Sequence, residues 1–399
     1  MITREALRLA HEKCQFIGTV DRQYDEAFAK TGAKIGSTLR VRLPNAYTRR
    51  RGSRVMDVQD QDEQNTSITV ATQDGVDMRF NSAELALSID DFSERYIAPA
   101  VAVLASGIEG DFISYATKQT FNVAGTAGSP PTDLVAIGAA RAKLNQNLAP
   151  KDGNRYVQMD SVTMGGLVNG LKGLFQDATQ IKEQYREGMI GRTGMADWYE
   201  NERMWTLTNG SDVTGTTDAT GLGTANSNGS YSLLDMHTTV AVAAQNVGQV
   251  FTISGVYACH PETKAPYPTL QQFVITGSSG NYSTISPAIY LSGPRQNVVA
   301  ASGAALAATD FDSKTLTFVG GASTSYIQNL MYHRDAFQFV TADLPIMADA
   351  AECVRRVQDG ISMRVWKGSD IRNDELLMRI DILYGFAALR PQWACRITS

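Results

Sequence analysis

Charge is nearly missing from the middle of this chain. Between residues 206 and 325 the acids are Asp212, Asp218, Asp235, Glu262, Asp310 and Asp312, and the bases Lys264, Arg295 and Lys314. The whole 399-residue sequence carries 41 acidic and 36 basic residues. Histidine is scarce as well, with only His11, His237, His260 and His333. The four cysteines, Cys14, Cys259, Cys353 and Cys395, lie far apart with no CxxC pair. That spacing reads as reduced, mostly buried thiols of a cytoplasmic protein. His11 with Cys14, and Cys259 with His260, fall short of the four ligands of a structural zinc site. No long apolar run exists. The richest stretch, Tyr96–Ile108, is too short to span a bilayer and contains Pro99 and Gly107. The first residues, Met-Ile-Thr-Arg-Glu-Ala-Leu-Arg, lack an apolar segment, so no signal peptide is expected and synthesis in the cytoplasm is. A basic excess is missing too. The net charge is −5, which argues against a protein built to grip nucleic acid, since phosphate neutralisation supplies most of that affinity.

Catalytic patterns are also absent. His333-Arg334-Asp335 has the letters of a kinase catalytic loop, but Val340 stands where the magnesium-binding Asn is required. A turn with a structural Arg–Asp pair is the plainer reading. Gly221-Leu222-Gly223 lacks the third glycine of a dinucleotide fingerprint and does not follow a strand pattern. The Asp212 and Asp218 region has no bidentate Glu at calcium-loop spacing. No catalytic residue, cofactor or metal is assigned.

What is present is an ordinary globular composition, 43% hydrophobic and 19% charged, in a chain long enough for two or more structural units. The charge-poor window is rich in Ser, Thr and Gly. It holds short alternating runs, Val250–Ile253, Phe273–Ile275 and Thr315–Val319, that predict a small β-barrel or sandwich. Asn209–Ser230 reads as a long flexible loop. On either side the pattern is mixed α and β, as expected for an α+β host interrupted by an inserted β-domain.

In the host, Asp21 is placed to cap a helix running to Lys30. Leu39, Val41 and Leu43 alternate with Arg40 and Arg42, a half-buried strand. Ile68, Val70, Val76, Met78 and Phe80 alternate again, so the two runs form a long hairpin. Its tip carries a basic flank, Arg49, Arg50, Arg51 and Arg54, then an acidic one, Asp57, Asp60, Asp62 and Glu63. Three readings stand for these charges: a contact with another subunit, a solvated loop edge, or a phosphate patch. The closeness of the two signs favours the subunit contact, because segregated charge fixes register against a complementary face.

Ile97, Val101, Leu104, Ile108, Phe112 and Tyr115 recur at helical spacing. Leu134, Ile137, Ala140, Leu144 and Leu148 predict a second helix opened by Thr132 or Asp133, with Pro150 beyond it. Arg155–Met159 reads as a strand. A third helix follows, capped by Asp160 or Ser161, with Met164, Leu167, Val168, Leu171 and Leu174 on one face. Leu376–Tyr384 reads as a strand, and Trp393 and Ile397 sit in a last extended piece.

Four segments carry a family resemblance: SIDDFSERYIAPAVAVLASGIEG (Ser88–Gly110), QYREGMIGRTGMADWY (Gln184–Tyr199), NLMYHRDAFQFVTADL (Asn329–Leu344) and ELLMRIDILYGFAALRPQWACRI (Glu375–Ile397). In this order the chain resembles the major capsid (coat) proteins of tailed phages, the Hong Kong 97 type of fold, and in particular the short-tailed Salmonella phage branch with an inserted domain. The resemblance implies a layout: an N-terminal arm (1–44), an extended hairpin loop (45–82), and spine helix, peripheral domain and first part of the axial domain (83–205). The inserted β-rich domain (206–325) and the remainder of axial and peripheral domains (326–399) complete it. It implies self-assembly into hexamers and pentamers of an icosahedral shell, a separate scaffolding protein and a portal protein. It also implies enclosed double-stranded DNA without sequence-specific binding, no membrane, and a place in the virion capsid after assembly in the host cytoplasm. A mildly acidic net charge suits a lining that must not hold its cargo tightly. Two other classes remain open at this point: a tail-tube subunit, and a ligand-binding or adhesin protein using the β-domain.

Overall fold

A computed structural model describes residues 14–25, 38–49, 52, 56, 58, 64–81, 96–171, 192–218, 220–236, 245–279, 282–347, 352–358 and 361–399. Its chain order opens with α1 (Gln15–Thr19), β1 (Asp21–Asp25), β2 (Thr38–Arg42), β3 (Asn65–Thr69), β4 (Thr72–Asn81) and α2 (Ala98–Gln119). Then come β5 (Val123–Gly125), α3 (Leu134–Gln146), β6 (Arg155–Met159), α4 (Ser161–Leu171), β7 (Arg192–Thr193), β8 (Ala196–Glu200) and β9 (Trp205–Thr208). The charge-poor window supplies β10 (Thr214–Thr216), β11 (Tyr231–Asp235), β12 (Val250–Cys259), β13 (Pro266–Ser279), β14 (Tyr282–Ile289), β15 (Val298–Val299) and β16 (Thr315–Phe318). The chain ends with β17 (Ser325–His333), β18 (Phe337–Ala342), β19 (Glu352–Gln358), β20 (Ile361–Asp370), β21 (Glu375–Ala388) and β22 (Ala394–Thr398). The class is mixed α+β, as the sequence predicts.

Two units emerge. The first comprises Met1–Leu43, Asn65–Ile113 and Phe337–Leu389, the second Pro44–Gln64, Ser114–Ala336 and Arg390–Ser399. The first is built on a sheet in the order β1-β18-β21-β20-β19, with β4 paired to β21. Its core is aromatic and aliphatic. Ile97, Val101, Leu104, Ile108 and Phe112 of the predicted helical stripe are all buried. Phe112 stacks on Phe386 at 5.1 Å and meets the edge of Phe16 at 4.9 Å. Buried Glu109 accepts the Phe16 backbone N–H, tying α1 to α2.

One prediction in this unit is overturned. Asp21 caps no helix: Asp21–Asp25 is a strand, paired in parallel with Gln338–Ala342. The Asp21 carboxylate accepts instead from Gln338 Nε2 at 3.3 Å. The sequence Asp-Arg-Gln-Tyr-Asp has no alternation to announce a strand, and its partner lies more than 300 residues away, so local signals pointed elsewhere. The continuation to Lys30 lies outside the described residues, as do Ser88 and Leu174.

The second unit contains two sheets. One runs β5-β22-β17-β6-β8-β7, with β9 on β17. Its apolar face, including Val157, Met159, Met331 and Ile397, packs against Ile137 and Leu144 of α3 and Met164 and Leu167 of α4. The caps are as predicted: Asp133 accepts from Val135 N–H at 3.0 Å and Asp160 from Thr163 N–H at 3.1 Å. The α3 stripe stops at Leu144, however. Leu148 has a φ of +57° and is 40% exposed, because the chain has already left the helix.

The other sheet runs β10-β16-β12-β13-β14-β11, with β15 on β12. Its core includes Phe251, Ile253, Phe273, Ile275, Phe311 and Leu316. The three predicted runs lie in β12 and β13, which are both longer, and in β16, which ends one residue earlier at Phe318. The expected flexible loop at Asn209–Ser230 is corrected. It contains β10, and the segment after β10 bonds to β11: Asp218 N–H to Asp235 O (2.9 Å), Asp235 N–H to Gly221 O (2.9 Å) and Gly223 N–H to Leu233 O (3.0 Å). These bonds lay the chain that leaves one edge strand, β10, along the other, β11. Thr217 and Asn209 are buried. Thr217 Oγ1 donates to Phe311 O at 2.5 Å, and Asn209 Nδ2 to Val319 O and Gly321 O at 2.9 and 3.0 Å. Small polar side chains that look like loop filler from sequence here satisfy backbone groups.

Candidate functional site

The predicted hairpin exists in part: its second run keeps Ile68, whereas Val76, Met78 and Phe80 lie in β4, which leaves the hairpin to pair with β21. β2 and β3 pair antiparallel from Thr38↔Thr69 to Arg42↔Asn65, so residues 43–64 form its connection. Leu39 and Val41 face inward and pack with buried Ile68, Val70, Val340, Ala342 and Ala387. A Cβ at Gly385 would stand 2.2 Å from Thr69 O, so only glycine lets β21 run this close to β3. Of the candidate contact residues, Arg49 is described and exposed. Arg50, Arg51, Arg54, Asp57, Asp60, Asp62 and Glu63 lie outside the described residues. Met56 and Val58, between the charges, are 81% and 77% exposed.

Sequence reasoning missed a charged network inside the first unit. Arg364 on β20 meets Asp381 on β21 at 2.7 Å, with side-chain exposures of only 4% and 0%. Arg364 also donates to Pro345 O at 2.9 Å. Arg379 Nε donates to the other oxygen of Asp381 at 2.8 Å, and that bond holds the Arg379 pKa above its ordinary value. Asp77 of β4 adds a looser contact to Arg379 at 3.5 Å. Gly75, paired with Asp381, leaves the room: a Cβ there would lie 2.5 Å from Asp381 Oδ1. Nearby, Asp343 takes Arg355 at 3.0 Å and the Ser362 hydroxyl at 2.5 Å. The only sequence signal was charged residues at alternate positions of a run otherwise rich in Ile and Leu.

In the second unit, polar groups hold the two sheets together. Gln272 of β13 presents its side-chain amide to Val123 of β5 as a strand would. It accepts from Val123 N–H at 3.0 Å and donates to Val123 O at 3.1 Å. Arg396 of β22, fully buried, donates to Thr120 O at 2.7 Å and Gly248 O at 2.6 Å. Burial pulls its pKa down to about 9, which still leaves it cationic at neutral pH. Trp205 closes over Gly248, where a Cβ would come within 2.7 Å of the ring, and Lys118 Nζ lies 5.0 Å from that ring's centroid. Phe121, Val123, Val250 and Val274 supply the apolar part of the seam.

The chemically suggestive residues turn out to be structural. His333-Arg334-Asp335 opens a short 3-10 turn anchored by His333, whose Nε2 lies 3.0 Å from Asp152 and whose Nδ1 accepts from Asp335 N–H. Burial pushes the Asp152 carboxyl up, but bonds from Asn154 and His333 outweigh it and bring the pKa down to about 2. Cys259 Sγ donates to Gln296 O, and His260 Nδ1 accepts from Glu262 and Thr263 N–H. Asp212 accepts from Thr214 N–H at 3.3 Å, a local turn. Among the described residues no group of three or more His, Cys, Asp or Glu could hold a metal ion, and no helix is long and apolar enough to cross a membrane.

Among the described residues these polar groups satisfy backbone groups and pair charges between strands. The chain belongs to the P22 coat protein family, whose model, described as P22 coat protein - gene protein 5, matches residues 35–396. It is a major capsid protein of a tailed phage, and it assembles with itself into an icosahedral shell. No curated protein matches it. Similar solved structures include the capsid of Ralstonia phage GP4, at 8% identity and a TM-score of 0.49, covering 97% of this chain and 89% of that one. The capsid of Helicobacter pylori bacteriophage KHP30 is 10% identical with a TM-score of 0.47, covering 97% and 91%. A Mycobacterium phage Che8 structure is 11% identical with a TM-score of 0.46, covering 91% and 85%.

Proposed function

We propose that the shell is built from hexamers and pentamers of this subunit, with the charged hairpin connection as a contact maker between neighbours. Residues 1–44 act as an N-terminal arm, 45–82 as the extended loop, and 206–325 as an inserted domain within axial and peripheral domains. A separate scaffolding protein guides growth, a portal protein occupies one vertex, and the shell encloses double-stranded DNA without reading its sequence. Assembly takes place in the host cytoplasm. The observation that carries this reading is the family match over residues 35–396, joined by a hairpin whose connection concentrates opposite charges. Weak contacts repeated around a closed surface give stability through multivalency and still permit correction during growth.

Electron microscopy of the protein, alone and with its scaffolding partner, tests the shell. Closed particles of uniform size are expected with scaffolding; a monomer under both conditions would refute the reading. Changing Arg49, Arg50 and Arg51 together to Glu should abolish closed particles while leaving the circular dichroism spectrum and melting temperature of the free subunit unchanged. Normal shells from that variant would remove the hairpin from the contact.

A further inference from the structure

The hairpin joining β20 to β21 carries both a knob and a dent. Its tip, Ile371-Arg372-Asn373-Asp374, is held before any partner arrives. Asp370 accepts from Arg372 N–H at 2.9 Å and from Asn373 Nδ2 at 2.8 Å. On this fixed turn Ile371 is 97% exposed, the most exposed of the large hydrophobic side chains described. A lone exposed apolar residue is ordinary on a protein surface. What sets Ile371 apart is the depression three residues away.

That depression lies on the outer face of β4, β21 and β20. Residues in register there are Trp366, Arg379 and Asp77 in one row and Gly368, Leu377 and Arg79 in the next. Gly368 contributes no side chain, and the row is left open above it. A Cβ built at Gly368 meets nothing within 4 Å. The resulting hollow, about 440 Å³, has Trp366 and Leu377 as its apolar walls and Arg79, Arg379 and Asp77 at its rim. Leu377 is 47% exposed, an apolar side chain on the solvent face of a strand. The tip around Ile371 carries Asp370, Arg372 and Asp374, both signs of charge, as the rim does.

We propose that this hollow receives Ile371 from a second copy of the chain. The proposal rests on the shell-forming function and names a surface by which subunits meet. The occupant follows from three features: an apolar knob on a preset turn, a hollow sized for a branched aliphatic side chain and its neighbours, and mixed charge flanking both. Knob and hollow are different points of one hairpin, so the contact runs head to tail. Repeated by a rotation that closes, as a closed shell requires, such a contact forms a ring about a symmetry axis. The wide gap over Gly368 is accounted for as well: nothing inside the subunit requires glycine there, whereas an incoming side chain does.

Gly368→Val separates this from a folding effect, because the added side chain points into open space and suits a strand. Gly368→Val and Ile371→Asp should each keep the melting temperature of the free subunit within about 2 °C of the parent and reduce the yield of closed particles at least tenfold. In a Cys353→Ser background, Ile371→Cys with Leu377→Cys should give disulfide-linked oligomers after oxidation of assembled shells, as a ladder on denaturing gels that stops at the ring size. Within one chain the two positions are too far apart along the hairpin to bridge. Normal shells from Gly368→Val, or the absence of linked oligomers from shells that assemble, would overturn the proposal. Parent protein scored in parallel reads the shell function by itself: closed parent shells beside unlinked double-cysteine shells refute only this contact, whereas a parent that never closes refutes both.

Discussion

At the scale of single residues, the first unit depends on a charge it cannot solvate. Asp381 is fully buried and answers both Arg364 and Arg379. Replacing one member of such a pair leaves the other as an uncompensated buried charge, which costs about 3–5 kcal/mol. Asp381→Asn should therefore lower unfolding free energy by about that amount in urea titrations. Arg79→Met, which removes an ion pair to Glu375 from a side chain 70% exposed, should cost under about 1 kcal/mol. A second residue-scale effect is acid sensitivity at Asp152. Its folded pKa, about 2, lies below the ordinary 3.8. A depressed carboxyl contributes stability that is present above the unfolded pKa and lost as pH falls through the folded one. Comparison of the parent with Asp152→Asn should show the difference in stability shrinking between about pH 4 and pH 2, and constant above.

At the scale of elements, the seam of the second unit is held by mimicry of a strand. Gln272→Leu would keep the bulk but leave both backbone groups of Val123 without partners. Each such loss costs about 1–3 kcal/mol when buried. A destabilisation of about 2–4 kcal/mol is expected by denaturant unfolding, and Gln272→Glu, whose carboxylate faces Val123 O, should not restore the parent value. Contacts of this kind also mark the limit of what the sequence could tell. The helical stripes of α2, α3 and α4, the Asp caps, β6 and the β2–β3 hairpin were legible, because each rests on periodicity or on a cap within a few residues. β1 was not, since its pairing is with Gln338–Ala342 and its own residues do not alternate. β10 and the segment after it were hidden too: Ser, Thr, Asn and Gly describe a loop equally well until their partners in Phe311, Val319 and β11 are known. The charge segregation of the hairpin tip was plain in the sequence; of its charged residues Arg49 is described, and it is exposed. The Arg364–Asp381 pair and the hollow at Gly368 were invisible, because both exist only once β4, β20 and β21 lie side by side.

For the molecule as a whole, the order of assembly of its own parts is constrained by connectivity. The first unit is drawn from three separated stretches of chain, and its longest ladder pairs Thr72–Asn81 with Glu375–Tyr384. Every strand of the other unit's two sheets except β22 is spelled out in between. On a ribosome adding about 5–20 residues per second, the roughly 290 residues between Asn81 and Glu375 take about 15–60 s to appear. Throughout that interval β4 has been made and its partner has not, so its backbone amides and carbonyls and the inward Val76, Met78 and Phe80 await a strand not yet in existence. Each newborn subunit thus passes through a vulnerable age, fixed by translation speed and not by its final stability. A cell crowded with such chains has reason to shield them until the last stretch arrives.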